Sequence, residues 1–417
     1  MANGCFIRID ILRNLLATLS LVAFTLAFGD ITPVAAEDAA GAENADSEVT
    51  IGYLRSPLPD WLPISLSERP REDDGIAGAR LAITDNNTTG RFTGQKYELE
   101  DAAVSDQQQA LDALGEMNAE GVRFVVADLP ADTLLAITDE AAKTDTLVFN
   151  IGAADDRLRE ADCRGNLIHV TPSRAMLADA LVQYLVTKKW TRLFLLVGSH
   201  AADEDYAAAV ERAAKRFGAK IVEKRVFTDT GGARTTDSGL VQVDAQMAVF
   251  TQSAPDHDVV VVADESEIFG PYVPYHTWDP RPVAGTSGLK PTSWSAAHDQ
   301  WAGIQIQNRF VAAYDRQMTA KDMDAWTAVR MIGEAATRSS STDAATMANF
   351  IKGPSFEVAA FKGQKLTLRD WNWQLRQPIL LADGRMVVSV SPQEGFLHQT
   401  STLDTLGYDR PESGCRL

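Results

Sequence analysis

Apolar positions along the chain follow two periods that alternate in regular order. The stretch EVTIGYL, residues 48–54, has the character of a buried strand, and from Asp73 onward apolar residues recur at helix spacing. This helix is predicted to end at the turn-rich DNNTTG, residues 85–90, before the strand QKYELEDAAV. Repeated alternation of this kind predicts βαβ units, with parallel sheets flanked by helices.

The alternation continues through most of the chain and divides near HVTPSR, residues 169–174. Strand candidates on the two sides include VRFVVADLP, TLVFNIGA, TRLFLLVGS and HDVVVVADES, separated by amphipathic stretches. Two lobes fit a chain of 417 residues better than one open sheet. After Phe356 the pattern changes to extended runs with a turn at Asp383 and Gly384, which predicts antiparallel strands added late.

The N-terminal segment has the three parts of a secretory signal. Arg8 and Arg13 precede an apolar run, and small residues stand before a predicted cleavage after Ala36. The run is shorter than the roughly 20 residues that cross a bilayer, so a retained anchor helix is the less favoured alternative. Residues 1–36 are therefore predicted to be a signal peptide, and residues 37–47 a flexible acidic leader. Stable insertion of the mature chain into a membrane is not expected.

Charge and cysteine content narrow the partners and the compartment. The net charge of −18 argues against binding to nucleic acid or to anionic membranes, and it is compatible with cationic ligands. Of the three cysteines, Cys5 leaves with the signal peptide. Cys163 and Cys415 remain in an exported chain and are predicted to form a disulfide, the alternative being two free thiols.

Carboxylates follow several predicted strands at the point where each strand ends. The stretch VVVVADESEIFG, residues 259–270, runs from four valines directly into three acids. Because ligands of open parallel sheets bind beyond the carboxyl ends of the strands, such positions predict a binding cleft. The candidate ligand-binding residues, at strand ends, helix starts and one aromatic position, are Tyr53, Asp74, Asp128, Asp155, Asp203, Glu204, Asp264, Glu265 and Trp294.

An acidic cleft of this kind suits a hard cation, which takes about six to eight oxygen ligands. A calcium or lanthanide ion as cargo is one hypothesis, with Asp264, Glu265 and Asp128 as metal ligands. Their spacing matches no recognised metal loop. The alternative is that acids at helix starts are N-caps, as expected for Asp73, Asp132, Asp203 and Asp205.

A short span rich in aromatic residues suggests a different ligand. Its side chains could stack on a flat organic molecule such as a quinone or an aromatic alcohol, or they could pack a junction between lobes. The residues are Tyr272, Tyr275, His276, Trp278, Trp294 and Trp301. The sequence has no GxSxG elbow, Walker A loop or GxGxxG after a strand, so a noncatalytic binding protein without a resident cofactor is predicted.

Several stretches are similar to a known family. GIAGARLAITDNNTTGRFTGQKYELEDAAVSD and FNIGAADDRLR with HVTPSRAMLADAL resemble the type I periplasmic solute-binding proteins, the branched-chain amino-acid binding class. The resemblance implies two α/β lobes joined by three crossings, closing on a ligand like a hinge. It implies a periplasmic monomer that serves an ABC permease and its ATPase. The implied lobes are 48–171 plus 286–355 for the first and 172–285 plus 356–400 for the second, with a C-terminal tail at 401–417.

The chain departs from that family after the third strand. Family members usually carry small hydroxyl residues there to hold the carboxylate of an amino acid. This chain has ADLPADT instead, in which Asp128 would repel a carboxylate. The departure disfavours an amino-acid ligand.

A narrower resemblance rests on two further stretches. YHTWDPRPVAGTSGLKPTSWSAAHDQWAGIQIQNRF, together with IGYLRSPLPDW, is similar to binding proteins that accompany pyrroloquinoline-quinone (PQQ) dependent alcohol dehydrogenase systems. That subgroup implies a lanthanide ion or its complex as cargo, and the dehydrogenase as a partner. Two alternatives stay open: a small organic ligand of the alcohol-oxidation system, and a partner of the dehydrogenase that transports nothing.

Overall fold

The computed structural model describes residues 47–58, 71–231 and 242–417. The predicted signal peptide and nearly all of the predicted leader lie outside the described residues, and Ser47 begins the first strand. Within these ranges no helix is both long enough and apolar enough to cross a membrane.

Strands and helices alternate through the first part of the described chain, as the hydrophobic pattern predicts. The strands are β1 (Ser47–Arg55), β2 (Gln95–Ala103), β3 (Phe124–Asp128), β4 (Leu147–Asn150), β5 (Leu167–His169), β6 (Arg192–Val197), β7 (Lys220–Val226), β8 (Val259–Ala263), β9 (Val283–Gly285), β10 (Lys290–Thr292), β11 (Val358–Ala359), β12 (Lys365–Leu368), β13 (Leu375–Arg376), β14 (Ile379–Ala382) and β15 (Val387–Ser391). The helices are α1 (Ile76–Thr93), α2 (Gln107–Ala119), α3 (Ala131–Ala141), α4 (Arg174–Thr187), α5 (Ala201–Phe217), α6 (Val243–Thr251), α7 (Val273–His276), α8 (Gly303–Tyr314), α9 (Ala320–Ser339) and α10 (Ala344–Lys352).

The first lobe is built on a parallel sheet in the order β2-β1-β3-β4-β5. Helices α1, α8, α9 and α10 pack on one face of this sheet, and α2 and α3 cover the other. β3 is buried at every position except its last, Asp128, because both faces of the sheet are covered. A near-continuous apolar run that ends in one carboxylate is the sequence mark of this arrangement.

The second lobe repeats the plan with a parallel sheet in the order β7-β6-β8-β9. β8 is buried along its whole length between one cluster that includes α4 and α5 and another that includes α6. The antiparallel pair β14 and β15 joins this lobe, and the turn between them contains Asp383 and Gly384. The two-lobed α/β fold with parallel sheets flanked by helices is thus as the sequence predicts.

Helix α1 does not end at DNNTTG, which corrects the predicted boundary. It continues to Thr93 and closes on Gly94 in the left-handed region, with φ 66°. The polar residues of the stretch are satisfied by tertiary contacts: Asn86 Nδ2 donates to Val329 O at 3.0 Å, and Asn87 exchanges hydrogen bonds with the Tyr97 backbone. Propensity for a turn is therefore overridden by partners that are distant in sequence.

Three short segments connect the lobes. The first follows β5, the second passes through Ser293 between β10 and α8, and the third passes through Gln377 between β13 and β14. This places the crossings differently from the division implied by the resemblance. Phe356, Val358, Leu366 and Leu375 pack in the core of the first lobe, whereas β10, from the span given to that lobe, pairs with β14 of the second.

The C-terminal tail touches both lobes. Leu406 packs in the core of the second lobe, and the Gly407 amide donates to Asp179 Oδ2 of α4 at 2.8 Å. Further on, Cys415 is bonded to Cys163 of the first lobe, with an S–S distance of 2.07 Å across a sequence separation of 252. The predicted disulfide between Cys163 and Cys415 is therefore confirmed.

Candidate functional site

A cavity of about 470 Å³ lies where the carboxyl ends of β1, β3 and β4 face the second lobe. In parallel sheets this edge is the expected place for a ligand. The first lobe supplies the loop residues after each of these strands, the start of α1 and the start of α9. The second lobe supplies Arg174, the first residue of α4, and Glu265, which follows β8. We call this cavity the interlobe cleft.

Arg174 holds two carboxylates from different lobes. Its Nε and Nη2 donate to the carboxylate of Glu265 at 3.0 and 2.7 Å, and its Nη1 lies 3.1 Å from Asp155 Oδ2. Burial raises the pKa of Glu265, and Arg174 opposes that shift. Burial alone would lower the pKa of Arg174, but the two acids raise it above its ordinary value. The guanidinium is thus an ionic bridge across the cleft.

A second ion pair lies on the wall formed by the first lobe. Lys321 Nζ, near the start of α9, is 2.9 Å from Asp128 Oδ2. Burial acts to lower the pKa of Lys321, and Asp128 outweighs it, so the pKa is raised. Gly152 permits this packing, because a Cβ there would lie 2.6 Å from Asp128 Oδ1. Both pairs place a cation beside acids that the sequence analysis assigned to a ligand.

Asp74 and Tyr53 lie next to this wall. Thr319 Oγ1 donates to Asp74 Oδ1 at 2.6 Å, and burial raises the pKa of Asp74. Tyr53 is fully buried, and its hydroxyl has no hydrogen-bond partner among the described residues. Burial, followed by the charges of Asp128 and Asp74, holds the pKa of Tyr53 well above its ordinary value. Within the described residues neither Asp74 nor the more exposed Glu72 makes an ion pair, so these are the acids of the cleft open to a cationic ligand, and Asp74 is the less exposed of the two.

The charges that line the cleft do not cancel. Five carboxylates, Glu72, Asp74, Asp128, Asp155 and Glu265, face three cations, Arg55, Arg174 and Lys321. The lining therefore carries a net charge of −2 when all of them are ionised. An anionic ligand would have to displace an existing ion pair, whereas a cationic group can add to the excess of acid.

Four of the predicted ligand residues lie elsewhere. Asp264 is 1% exposed and accepts hydrogen bonds from the amides of the turn after β8, at residues 268–270. Asp203 is fully buried, and it accepts from the His200 amide at the start of α5 and from Ser266. Glu204 is exposed on α5, and Trp294 packs in the core of the first lobe. The structure therefore gathers Asp74, Asp128, Asp155 and Glu265 at the cleft, with Tyr53 beneath.

The proposed metal ligands are not brought together. Asp264 caps a turn, Glu265 pairs with Arg174, and Asp128 pairs with Lys321. Within the described residues no group of three or more His, Cys, Asp or Glu side chains is arranged to hold a metal ion. Arg174 and Lys321 are the functional residues that the sequence analysis missed. Their positions in the sequence could have indicated them, since each lies in the first turn of a helix that starts at the cleft.

A buried polar cluster joins all three crossings, and we call it the hinge cluster. Asp324 of α9 accepts hydrogen bonds from Ser293 Oγ, at 3.1 Å, and from the Thr171 side chain. Lys362 donates through Nζ to Gln377 Oε1. Burial raises the pKa of Asp324 to about 7, which Lys362 opposes, and burial lowers the pKa of Lys362 to about 8, which Asp324 opposes. Side chains of the first lobe thus fix the segments about which the lobes would move.

Comparison with solved structures shows the same fold at low sequence identity. A leucine-, isoleucine-, valine-, threonine- and alanine-binding protein from Brucella ovis, in a closed conformation, superposes with a TM-score of 0.69 at 14% identity, over 89% of this chain and 99% of the other. A branched-chain amino-acid ABC transporter periplasmic ligand-binding protein from Burkholderia xenovorans gives 0.66 at 18%, over 88% and 99%. An ABC transporter solute-binding protein from R. palustris in complex with benzoate gives 0.64 at 13%, over 89% and 100%.

Sequence comparison gives the family directly. No curated protein matches the chain significantly. The family model described as periplasmic binding protein matches residues 72–383, which include the cleft residues from Asp74 to Lys321 and both lobes. With that match over most of its length, the chain belongs to the periplasmic binding protein family.

Proposed function

We propose that this protein is the periplasmic solute-binding component of an ABC importer. Support comes from the family, from two lobes joined by three crossings, and from a cleft that draws residues from both lobes. Two of the structural neighbours are named as ABC transporter binding proteins. In this role the lobes close on a solute and a permease with its ATPase receives it. The role is binding rather than catalysis.

The cargo that the cleft favours is a small organic solute carrying an ammonium group. One observation supports this proposal above the rest: the lining has an acid excess of two, with Asp74 outside any ion pair of the described residues. An ammonium group near Asp74 would be charge-neutralised and hydrogen-bonded. A simple carboxylate such as benzoate would instead meet five acids.

A lanthanide or calcium ion as cargo, and a PQQ-dependent alcohol dehydrogenase as partner, stay predictions from the sequence. A bare ion of that size needs about six to eight oxygen ligands. At this cleft it would require Arg174 to release Glu265 and Asp155, and Lys321 to release Asp128. Breaking these ion pairs has an energetic cost for a bare ion. This cost distinguishes an ion from an amine as the cargo.

The test is a thermal-shift and calorimetric titration of the mature chain with putrescine, L-leucine, isovalerate, calcium chloride and lanthanum chloride. A ligand at a hundredfold excess over its Kd stabilises the folded state by about 2.7 kcal/mol. We expect at least one of the two amines to raise Tm by about 5 °C or more, and isovalerate, a carboxylate without an aromatic ring, to have no effect. Asp74→Asn should weaken amine binding by about tenfold or more, because a charge-assisted hydrogen bond is lost.

The matched control is Glu204→Gln, which removes an exposed acid outside the cleft and should leave every titration unchanged. Stabilisation by lanthanum with no response to either amine would replace the organic cargo by a metal cargo. Equal loss of amine binding in both variants would show that overall charge, and not the cleft, is responsible.

A further inference from the structure

The first lobe contains a second cavity, of about 640 Å³, that shares no lining residue with the interlobe cleft. It lies between the middle of α1, the start of α8, the middle of α9 and the segment 359–365. We call it the aromatic cavity, because Trp301, Trp326 and Phe361 line it. All of its walls belong to one lobe, so movement of the lobes does not assemble or dismantle it.

Three of the ten described non-glycine residues with a left-handed backbone lie at this cavity. Trp301, Ala302 and Phe361 all line it, and all have left-handed φ values, of 50°, 64° and 55°. Such a conformation is unfavourable for residues other than glycine, and it costs of order 1–3 kcal/mol where the surroundings enforce it. Three strained residues on one surface indicate that the fold maintains the positions of their side chains at the expense of an unstrained backbone.

The strained residues present an indole ring to solvent. Trp301 is 44% exposed, although its ring packs against the backbone of Gly363. A Cβ at Gly363 would lie 2.4–2.8 Å from three atoms of the indole, so only glycine fits there. On its other side the ring lies 5.4 Å from the ring of His298. Trp301 is therefore held in place before any ligand arrives.

The opposite wall is also fixed. The rings of Trp326 and Phe361 lie 5.4 Å apart, and Trp326 Nε1 donates to Asp85 Oδ2 at 2.9 Å. Arg330 reaches over the Trp326 ring at 6.0 Å. Preorganised aromatic walls bind flat rings well, because little side-chain freedom is lost on binding.

The charge of the aromatic cavity has the opposite sign from that of the cleft. Arg309, Arg330 and Lys365 line it together with Asp85 and Glu334. Arg309 is paired with Asp85, Arg330 with Glu334, and Lys365 with Glu357, which lies outside the lining. Lys362 also lines it, but its ammonium group is committed to Gln377 of the hinge cluster. An anionic ligand would therefore exchange with Glu357 at Lys365, and this exchange costs little because the side chain of Lys365 is exposed and exposed ion pairs contribute little stability.

We infer that the aromatic cavity is a second ligand site, which takes a planar aromatic molecule bearing a carboxylate or a similar anionic group. The ring stacks on Trp301 between the aromatic walls. The anionic group lies toward Arg309, Arg330 and Lys365. This site is independent of the cargo in the interlobe cleft, and it stands whether that cargo is an amine or an ion.

The test is isothermal titration of the mature chain with 2-naphthoate, and with 2-naphthylmethylamine as a cation of the same shape. We expect 2-naphthoate to bind with one-to-one stoichiometry and, in the Asp74→Asn variant whose cleft no longer favours amines, at least about tenfold more tightly than the amine. Trp301→Ala should weaken 2-naphthoate by about tenfold, since stacking on an aromatic ring contributes on the order of that factor. Trp278→Ala removes an exposed indole in the second lobe and should have no effect.

Two further variants keep the test decisive if Trp301→Ala disturbs folding. Lys365→Glu changes an exposed side chain and should weaken 2-naphthoate several-fold while leaving the cation unaffected or tighter. Asp74→Asn alters the interlobe cleft and should leave 2-naphthoate unchanged, which separates this site from the proposed cargo site.

Three results would overturn the inference. The first is absence of binding at millimolar 2-naphthoate. The second is equal affinity for the two probes together with insensitivity to Lys365→Glu. The third is loss of binding in Val249→Ser, a change to an exposed apolar residue in the second lobe, while Trp301→Ala still binds.

Discussion

The interlobe cleft and the aromatic cavity use the same two helices, α1 and α9, at different points along their length. At the start of these helices lie Asp74 and Lys321, which face the other lobe. One to three turns further on lie Asp85 and Trp326, which face a cavity whose lining belongs to the first lobe alone. The cleft is lined by both lobes and has more acids than cations, whereas the cavity is lined by one lobe and has more cations than acids.

The contrast teaches that one helix pair can serve two kinds of recognition. In the cleft, acids are held by Arg174 and Lys321, which act as exchangeable partners that a cationic ligand can compete with. In the cavity, recognition depends on ring positions that are enforced by strained backbone. Changes that break one region should therefore leave the other intact, with one exception.

The exception is Lys362, which lines the aromatic cavity and also belongs to the hinge cluster. Lys362→Met removes the cation that opposes the burial of Asp324, so the pKa of Asp324 should rise further and its carboxyl group must take up a proton when the protein folds at neutral pH. The free energy of unfolding should then be about 4 kcal/mol below that of the double variant Asp324→Asn with Lys362→Met. Urea titration followed by circular dichroism measures this. The double variant Asp324→Asn with Lys362→Met should recover most of the loss. A single variant as stable as the double would contradict a charged pair in the folded protein.

The pH dependence of stability gives a second test of the buried pair of Asp324 and Lys362. Burial raises the pKa of Asp324 from 3.8 to about 7, so the folded state binds more protons than the unfolded state between those values. Stability relative to the double variant should thus be greatest in acid and fall, on the order of 3–4 kcal/mol, as pH rises from about 4 to 7. His169, whose pKa is lowered chiefly by burial, acts in the opposite direction but is present in both proteins and cancels. A flat difference curve would contradict the burial of an ionisable Asp324.

Loss of the disulfide should affect binding in the interlobe cleft and leave binding in the aromatic cavity unchanged. Replacing Cys163 and Cys415 by serine should cost about 2–4 kcal/mol, because the bond closes a long loop in the unfolded chain. The bond joins the first lobe to the tail that packs on the second, so binding in the interlobe cleft should change as well. Binding of 2-naphthoate within one lobe should keep its Kd in calorimetry. A shift of that Kd matching the shift for the cleft ligand would contradict the independence of the two sites.

The smallest expected effect comes from Arg174→Met. Removing the guanidinium leaves Asp155 and Glu265 without their bridge, and should raise the affinity of the cleft for calcium or an amine by about tenfold, or 1.4 kcal/mol. Arg281→Met, which removes an exposed arginine paired with Asp279, is the matched control and should leave these affinities unchanged. Weaker cation binding in Arg174→Met would show that Arg174 supports the ligand instead of competing with it.

Much of the fold could be predicted from the sequence, because strands that are buried on both faces appear as unbroken apolar runs. β3 and β8 are covered on both faces, and their unbroken apolar runs state this directly. Helix α1 shows the limit. Its polar end reads as a turn until Val329 and Tyr97 supply partners for Asn86 and Asn87, and those partners come from distant positions in the chain.

The candidate site was less predictable, because a carboxylate at a strand end can bind a ligand, cap a turn or form an ion pair. Asp264 and Glu265 are neighbours in sequence, yet the first caps its own turn and the second reaches Arg174. Which of these roles applies depends on a cation that another helix places nearby, and the local sequence pattern does not reveal that cation. Trp301 shows the same limit, since its exposure depends on Gly363, far along the chain.

The C-terminal tail also constrains the path by which the lobes can separate. It leaves the second lobe near Gly407, and Tyr408 lines a small cavity beside Arg174 before the chain reaches Cys415. The lobes are therefore joined at four places, and the fourth is covalent at its end. A rotation that opens the cleft must keep this strap at nearly constant length. If residues 407–415 keep their contacts with both lobes, the axis of such a rotation passes near both the crossings and the strap, and the opening is then a twist about a defined line.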